Sequence, residues 1–247
     1  ANRGECAQCC RLPYTMVDSE GTVIAKDRHL LSLKDMNRTD YLEALMDAGV
    51  SSFKIEGRLK DVSYVKNVTA WYREKIDEIL ARRPEYVRSS AGKSTVSFEP
   101  SVEKSFNRGF TSYFMERRTS DITAFDTPKS LGEFVGTVKE VKRNCFAMNA
   151  NVAISNGDGL AFFDRQKQLE GFRVNKVEGQ LVFPYEMPTL TAGMKLYRNY
   201  DIEFEKNMSR PTAERKLSVK MTFGEYPLGF TFGMTDETGA SITFTQP

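Results

Sequence analysis

The sequence has little histidine, little net charge and no long apolar run, and each shortage excludes a class of protein. One histidine among 247 residues argues against a site built from several imidazoles. A formal net charge of +2, from 35 basic and 33 acidic residues, excludes a purely electrostatic, histone-like nucleic-acid binder but allows local basic patches. No apolar stretch reaches the roughly 20 residues that span a bilayer, and no signal-peptide pattern is present. We therefore expect a cytoplasmic protein with neither a membrane nor a DNA partner.

What is present is an ordinary globular composition with an unusual N-terminal end. Hydrophobic residues make up 40% and charged residues 28% of the chain, which fits one large domain or two smaller ones with a buried core. The chain begins at Ala1 rather than at a methionine, and its first residues look like the middle of a motif. We therefore expect a piece of a longer protein, with part of the active site outside this sequence.

Three of the four cysteines, Cys6, Cys9 and Cys10, fall within the first ten residues in the pattern C-x-x-C-C. A secreted disulfide framework does not crowd its cysteines in this way, and a reducing cytoplasm suits them better. Thiolates at short spacing are ligands for a soft metal or an iron–sulfur cluster. A closed zinc site would need distant Cys145 or His29 to complete its tetrahedron. On this pattern alone the cysteines are either metal ligands or free thiols.

Helical and extended patterns alternate in the first ninety residues. The predicted elements are a hairpin at 17–23, a helix at 39–48, a strand at 50–55 and a helix at 62–80. Helix, strand and helix with short connections are typical of a parallel α/β unit, in which chemistry is located at the carboxyl ends of the strands. Lys54, Glu56 and Arg58 lie at such an end and are the candidate catalytic residues. The alternative is a structural ion network at the end of the strand.

After a linker at 88–93 the helical period disappears and short alternating runs replace it. Strands are predicted at 134–141, 160–163, 172–177, 180–183 and 194–197, and then at 217–223, 228–234 and 240–245. The spacing of the first group is typical of a small antiparallel barrel or sandwich. The second group adds strands that must pack on another surface.

The connector between these regions interleaves basic and aromatic residues from position 104 to position 114. Lys104, Phe106, Arg108 and Phe110 are its candidate RNA-binding residues, because aromatic rings stack on unpaired bases while cations contact phosphates. The alternative is structural: Phe106, Phe110 and Phe114 are spaced four apart and would pin the connector onto the barrel core.

Three stretches, at 2–11, 52–58 and 106–111, read NRGECAQCCR, SFKIEGR and FNRGFT. In order and spacing they resemble the collagenase-like peptidase family U32, and Glu56 and Arg58 match the family's end-of-strand motif. The resemblance implies a multidomain α+β chain. Its parts are the truncated C-terminal end of a TIM-like α/β barrel at 1–90, an antiparallel β-barrel at 91–210 and the start of further strands at 211–247. It also implies that the N-terminal half of the α/β barrel, a partner of this piece, precedes residue 1.

The resemblance implies chemistry as well. Members of the family are assigned to proteolysis or to oxygen-independent hydroxylation of RNA bases or quinone precursors, the latter with a cysteine-bound iron–sulfur cluster. Cys6 and Cys10 match two cluster cysteines of the pattern G-x-C-x-x-x-C-R, whereas Cys9 stands where relatives usually have proline. An upstream cluster cysteine of the family would precede residue 1, and Asn37 lies where some members have another. Cys6 and Cys10 alone therefore cannot complete a cluster.

These features favour an iron–sulfur RNA hydroxylase as the full-length protein, with structured RNA as its partner and with this piece inactive by itself. Proteolysis is the alternative that the family name suggests. The sequence has no H-E-x-x-H motif, and only His29 is available for a Cys–His or Ser–His pair. A non-catalytic RNA-binding or scaffold module is the third hypothesis.

Overall fold

The computed structural model describes residues 6–246 of the chain, so residues 2–5 of the first motif lie outside the described residues. The described chain divides into two compact units. The first contains the residues up to Tyr72 together with Pro100–Ser209, and the second contains Arg73–Glu99 and the residues from Arg210 onward. The predicted domain boundaries near residues 90 and 210 stay predictions.

In chain order the strands are β1 (Tyr14–Val17), β2 (Val23–Arg28), β3 (Asp35–Met36), β4 (Lys93–Val96), β5 (Phe110–Thr111), β6 (Glu133–Val141), β7 (Phe146–Ala150), β8 (Gly159–Phe163), β9 (Leu169–Glu178), β10 (Leu181–Pro184), β11 (Lys195–Tyr200), β12 (Ala213–Lys216), β13 (Val219–Tyr226), β14 (Gly229–Asp236) and β15 (Ser241–Gln246). The helices are α1 (Leu42–Asp47), α2 (Val62–Arg82) and α3 (Ile202–Met208). Single 3-10 turns are formed by Cys9–Arg11, Thr39–Tyr41 and Val102–Lys104.

Six antiparallel strands of the first unit close into a barrel in the order β10, β7, β6, β11, β8 and β9, and β9 pairs back with β10. Fully burying one large apolar side chain stabilises a fold by roughly 1.5–3 kcal/mol, and the barrel interior holds a continuous set of them. Its buried members are Val135, Val138, Phe146, Met148, Leu160, Phe162, Val174, Val182, Leu190 and Leu196. The predicted antiparallel barrel is therefore confirmed, although β7 is absent from the predicted strands.

One close approach in the barrel requires glycine. At Gly136 in β6 the backbone has a φ of +141°, and a Cβ added there would overlap the carbonyl oxygen of Asn149 in β7. L-residues rarely adopt this backbone conformation. Gly136 therefore lets β6 and β7 pair without distortion.

A buried charge network ties the barrel to the elements that flank it. Arg198 is 7% exposed, and its Nη2 lies 2.5 Å from Glu133 Oε2 and 3.3 Å from Asp201 Oδ2. Its Nη1 lies 3.3 Å from the fully buried Asp158. Asp201 also accepts a hydrogen bond from Lys104 Nζ at 3.0 Å and caps α3 through its other oxygen. Because each buried charge has partners, the network offsets much of its own desolvation cost.

Before the barrel, the chain contains the predicted hairpin and helices, and α2 begins in the first unit and continues into the second. The hairpin is β1 and β2, the helix at 39–48 is the Thr39–Tyr41 turn followed by α1, and the helix at 62–80 is the longer α2. Trp71 of α2 donates a hydrogen bond from Nε1 to Thr39 Oγ1 at 2.9 Å. This bond joins the two helical segments.

The strand predicted at 50–55 is wrong, because these residues have no strand geometry. The alternation behind the prediction is real, since Phe53 and Ile55 are half-buried and Ser52 and Lys54 are exposed. A parallel strand, however, is held by hydrogen bonds to neighbouring strands. Within residues 6–246 no strand pairs with this segment. The parallel pairing that is present joins β3 to β5 over two residues.

In the second unit, β4 pairs with β12, and β13, β14 and β15 form a three-stranded antiparallel sheet. Phe232 lies opposite both Phe223 and Phe244. Directly opposed residues share a face of a sheet, so one face is apolar. The final block of predicted strands is confirmed. Among the described residues, no helix combines the length and the apolar character needed to cross a bilayer.

Candidate functional site

The cysteine motif ends in a turn that is anchored to the rest of the first unit. Arg11 Nη1 donates a hydrogen bond to Ser32 Oγ at 2.8 Å, and the Arg11 carbonyl oxygen lies 2.9 Å from His29 Nδ1. The single histidine therefore holds this turn in place. The cysteines of the motif are exposed: Cys6, Cys9 and Cys10.

The third motif forms a tight loop held by its own asparagine and by Asp35. Asn107 is 2% exposed, and its side-chain nitrogen donates to the carbonyl oxygen of Glu103 at 3.1 Å while its side-chain oxygen accepts from the Gly109 amide at 3.1 Å. Gly109 has a φ of +80°, which glycine adopts without cost. The two carboxylate oxygens of Asp35 accept from the backbone amide of Arg108 at 2.9 Å and from its Nη2 at 2.7 Å. The loop is thus fixed by a charged pair.

Two cations lie against the ring of Phe106. Lys60 Nζ is 3.1 Å from the ring centroid, and the Arg108 guanidinium carbon is 5.3 Å from it. Lys60 also lies 5.5 Å from the ring of Tyr64. Cations are attracted to the negative faces of aromatic rings at these distances. The arrangement brings two residues of the third sequence motif together with Lys60, which follows the second motif.

The residues around this ring are rich in positive charge. We call them the Phe106 cluster, which consists of Arg11, Asp35, Lys60, Phe106 and Arg108. Burial lowers the pKa of Lys60, and repulsion by Arg108 and Arg11 adds to the effect although Asp35 opposes it. Burial likewise lowers the pKa of Arg108, while Asp35 raises it and Arg11 lowers it. The cations of the cluster are therefore partly desolvated and mutually repulsive.

The second motif lies on an exposed loop. Lys54 Nζ is 3.9 Å from Glu56 Oε2, with side chains that are 88% and 70% exposed. The Arg58 amide donates to Glu56 Oε1 at 3.0 Å. The pKa of Tyr64 is raised chiefly by burial, with smaller contributions from charges that include Asp35 and Glu56. In the described loop Lys54 thus pairs with Glu56 while Arg58 contributes its backbone amide, and both the catalytic assignment and its structural alternative stay predictions.

The predicted RNA-binding residues separate into different environments. Lys104 is paired with Asp201 in the barrel network, and Arg108 is paired with Asp35. Phe110 belongs to β5, which pairs with β3. Phe106 is the member that meets two cations, and it is half-buried. Their role in RNA binding stays a prediction, but two of the cations already have carboxylate partners.

Sequence reasoning missed Lys60 and Asp35 as site residues. Lys60 follows the second motif by two residues, and Asp35 lies between the first and second motifs. Neither has a local pattern that distinguishes it from a solvated charge. Only the contact with the loop at Phe106 and Arg108 identifies them.

A metal site requires several ligating side chains close together. In the part of the chain from Cys6 to Gln246, no group of three or more His, Cys, Asp or Glu residues is placed to hold a metal ion. An iron–sulfur cluster is generally held by a full set of thiolates. Cys6 and Cys10 could therefore supply only part of such a set, and the cluster stays a prediction.

Comparison with known proteins identifies the family. The model of peptidase family U32 matches residues 1–124, and the chain belongs to this family, which confirms the resemblance noted in the sequence. Over 254 aligned residues the chain is 43% identical to the 23S rRNA 5-hydroxycytidine C2501 synthase of Escherichia coli, covering 99% of this chain and 39% of that protein. It is 36% identical to a collagenase of Porphyromonas gingivalis over 124 residues, which is 50% of this chain and 33% of the relative.

A further relative acts on transfer RNA by name. The chain is 29% identical to the tRNA hydroxylation protein P of Haemophilus influenzae over 62% of its own length and 33% of the relative. The chain thus spans well under half the length of each of these relatives. No solved structure matches the chain.

Proposed function

We propose that this chain is part of an RNA base hydroxylase whose substrate is ribosomal RNA. The observation that carries the proposal is the extent of similarity. The rRNA 5-hydroxycytidine synthase aligns with 99% of the chain, including the barrel and the closing sheet, whereas the collagenase aligns with 50%. Transfer RNA is the alternative substrate, since a tRNA hydroxylation protein aligns with 62%.

The Phe106 cluster supports an RNA partner. It combines three cations with one carboxylate around an aromatic ring, and RNA-binding sites commonly use cations to contact phosphates. Arg11 of the cluster directly follows Cys10. RNA held at the cluster would therefore approach the cysteine motif.

In the full-length protein, Cys6 and Cys10 are proposed to supply two ligands of an iron–sulfur cluster, with the remaining ligands outside this chain. The segment at 50–58 is proposed to be part of a TIM-like barrel that the rest of the protein completes. Lys54, Glu56 and Arg58 would then line the active site. Because these parts are incomplete here, the chain is expected to be inactive on its own.

Proteolysis is the weaker alternative. His29 uses Nδ1 to bind the Arg11 carbonyl oxygen, so the single imidazole of the chain is engaged in structure. A nucleophile activated by a histidine would need that ring free and oriented toward it. A non-catalytic RNA-binding module is the remaining alternative.

The test is made on the full-length protein. Cells that lack their own rRNA cytidine hydroxylation would express the wild type, a Cys6→Ala/Cys10→Ala variant, or Cys9→Ser as a matched control in the same turn. Mass spectrometry of 23S rRNA nucleosides would measure 5-hydroxycytidine, and anaerobically purified protein would be assayed for iron and acid-labile sulfide. The expected result is product and cluster in the wild type and in Cys9→Ser, and neither in the double variant.

Absence of 5-hydroxycytidine with the wild type would overturn the rRNA assignment, and hydroxylated tRNA in its place would favour the alternative substrate. Digestion of denatured collagen by the pure wild-type protein would favour proteolysis. Product without iron in the double variant would remove the proposed role of Cys6 and Cys10.

A further inference from the structure

The Phe106 cluster has more cations than carboxylates to balance them. Asp35 uses both of its oxygens to accept hydrogen bonds from Arg108. Across residues 6–246, no carboxylate lies within ion-pair distance of Lys60 or Arg11. Lys60 instead lies against the rings of Phe106 and Tyr64, and Asp35 and Asp61 act on it only from beyond ion-pair distance. Arg11 donates a hydrogen bond to a serine hydroxyl. Within the described residues, these two cations therefore form no ion pair.

Burial makes this imbalance costly. The Arg108 side chain is nine-tenths buried, and its Nε has no hydrogen-bond partner among the described residues. Lys60 is half-buried beside it. Cations taken from water need opposite charge or hydrogen-bond acceptors to offset the loss of hydration. A cation–π contact supplies only part of this, about 0.5–2 kcal/mol. The electrostatics of the cluster therefore favour binding of an anion.

We propose that a phosphate group binds between Lys60 and Arg11, two half-buried cations of the Phe106 cluster, of which Arg11 follows Cys10 in the chain. The three donor positions of an ammonium and the planar fork of a guanidinium together suit the oxygens of one phosphate. That the phosphate belongs to RNA rests on the proposed function; the same chemistry would accept free phosphate. The cations that contact it are then not those in the sequence pattern, because Lys104 and Arg108 already have carboxylate partners.

The proposal gives a specific consequence for the substrate. Arg11 and Cys10 are adjacent in the chain, so a phosphate on Arg11 places its nucleotide beside the exposed cysteine turn. Phe106 has a separate task, since its ring is covered by Lys60 and Arg108. The ring holds Lys60 in position and does not stack on a base.

The test measures RNA affinity as a function of salt for the full-length protein. A fluorescently labelled 23S rRNA fragment would be titrated at several potassium chloride concentrations with the wild type, Lys60→Gln, Lys60→Arg and Lys139→Gln. Each phosphate contact contributes about 0.7 to the slope of log affinity against log salt for single strands. Lys60→Gln is expected to lower the slope by about 0.7 and the affinity roughly ten-fold. Lys60→Arg retains the slope, and exposed Lys139 in β6 serves as the control for loss of one charge.

A second arm separates the source of the phosphate. Thermal unfolding would be measured with and without inorganic phosphate, which should raise the melting temperature of the wild type and of Lys60→Arg but not of Lys60→Gln. If inorganic phosphate raises the melting temperature in this pattern while the salt slopes of RNA affinity are equal for all variants, the site binds free phosphate and not RNA. If Lys60→Gln matches the wild type in both arms, the proposal is overturned. Failure of the wild type to bind RNA would count against the proposed function, while the phosphate arm still decides on the site.

Discussion

Asp35 anchors the loop that carries Arg108, and a double-mutant cycle measures the strength of this anchor. The single variants are Asp35→Asn, which keeps the size and one acceptor but removes the charge, and Arg108→Met, which keeps much of the aliphatic length. The double variant completes the cycle. The coupling free energy isolates the pairwise interaction because effects on the unfolded chain and on other neighbours largely cancel.

The structure gives the expected magnitude. Arg108 Nη2 lies 2.7 Å from the carboxylate, and the side chains of Arg108 and Asp35 are 10% and 23% exposed. A hydrogen bond to a charged group contributes about 1.5–3 kcal/mol, and removing one member of a buried pair costs about 3–5 kcal/mol. Because Asp35 keeps some contact with water, we expect each single variant to lower the free energy of unfolding by about 2–3 kcal/mol. The coupling should be about 1.5–2 kcal/mol.

The assay is urea unfolding followed by the fluorescence of Trp71, the single tryptophan of the sequence. Trp71 reports on the same unit because its indole donates to Thr39, shortly after Asp35 in the chain. A control cycle on Lys176 and Glu178 uses an exposed pair 2.5 Å apart with side chains 57% and 52% exposed, for which the coupling should be about 0.5 kcal/mol. A coupling at the Asp35 pair no larger than that of the control would refute the reasoning from burial.

Two further predictions concern the barrel. Gly136→Ala should lower the free energy of unfolding by about 3 kcal/mol or more, because the added Cβ would overlap the Asn149 carbonyl oxygen. The control Gly171→Ala should lower it by under about 1 kcal/mol, since the nearest atom would be at an ordinary 3.6 Å. Equal melting temperatures of the two variants by calorimetry would contradict this difference. Burial raises the pKa of Asp201, but hydrogen bonds, one of them from Lys104, outweigh it and leave the pKa below the usual Asp range. The stabilisation of the fold by ionised Asp201 is therefore complete above about pH 3.9, the ordinary pKa of Asp in an unfolded chain. It is lost as the pH falls through the lower pKa of the folded state. The Asp201→Asn variant should be less stable than the wild type at neutral pH, and its free energy of unfolding should fall less with acid in urea titrations from pH 7 to pH 2. If the two proteins lose stability in parallel as the pH falls, the Asp201 carboxylate does not have this stabilising role.

Local patterns predict most of the fold but not the pairing of its strands. The apolar stripe of α2 and the alternation in β6 are visible in a short window, because each of these elements buries one face. The alternation in β13 is equally visible, although its apolar residues are exposed. β7 escapes this reasoning because Phe146, Ala147 and Met148 are all buried in succession, which gives no period of two. For the segment at 50–55 the error is the opposite one, a predicted strand that does not form. Its apolar and polar residues alternate, but no neighbouring strand within the described residues pairs with it.

The site is less predictable because it depends on charge balance between distant residues. The sequence identifies Arg108 as a candidate for phosphate contact by its position in a basic and aromatic stretch. In the folded chain, Asp35 neutralises that guanidinium from 73 residues away, and the ring of Phe106 holds Lys60 beside it. The unbalanced charge therefore lies on Lys60, which no local pattern distinguishes, and on Arg11, which ends the cysteine motif. A motif can thus identify the loop that builds a binding site while the residues left free to bind are supplied by its neighbours.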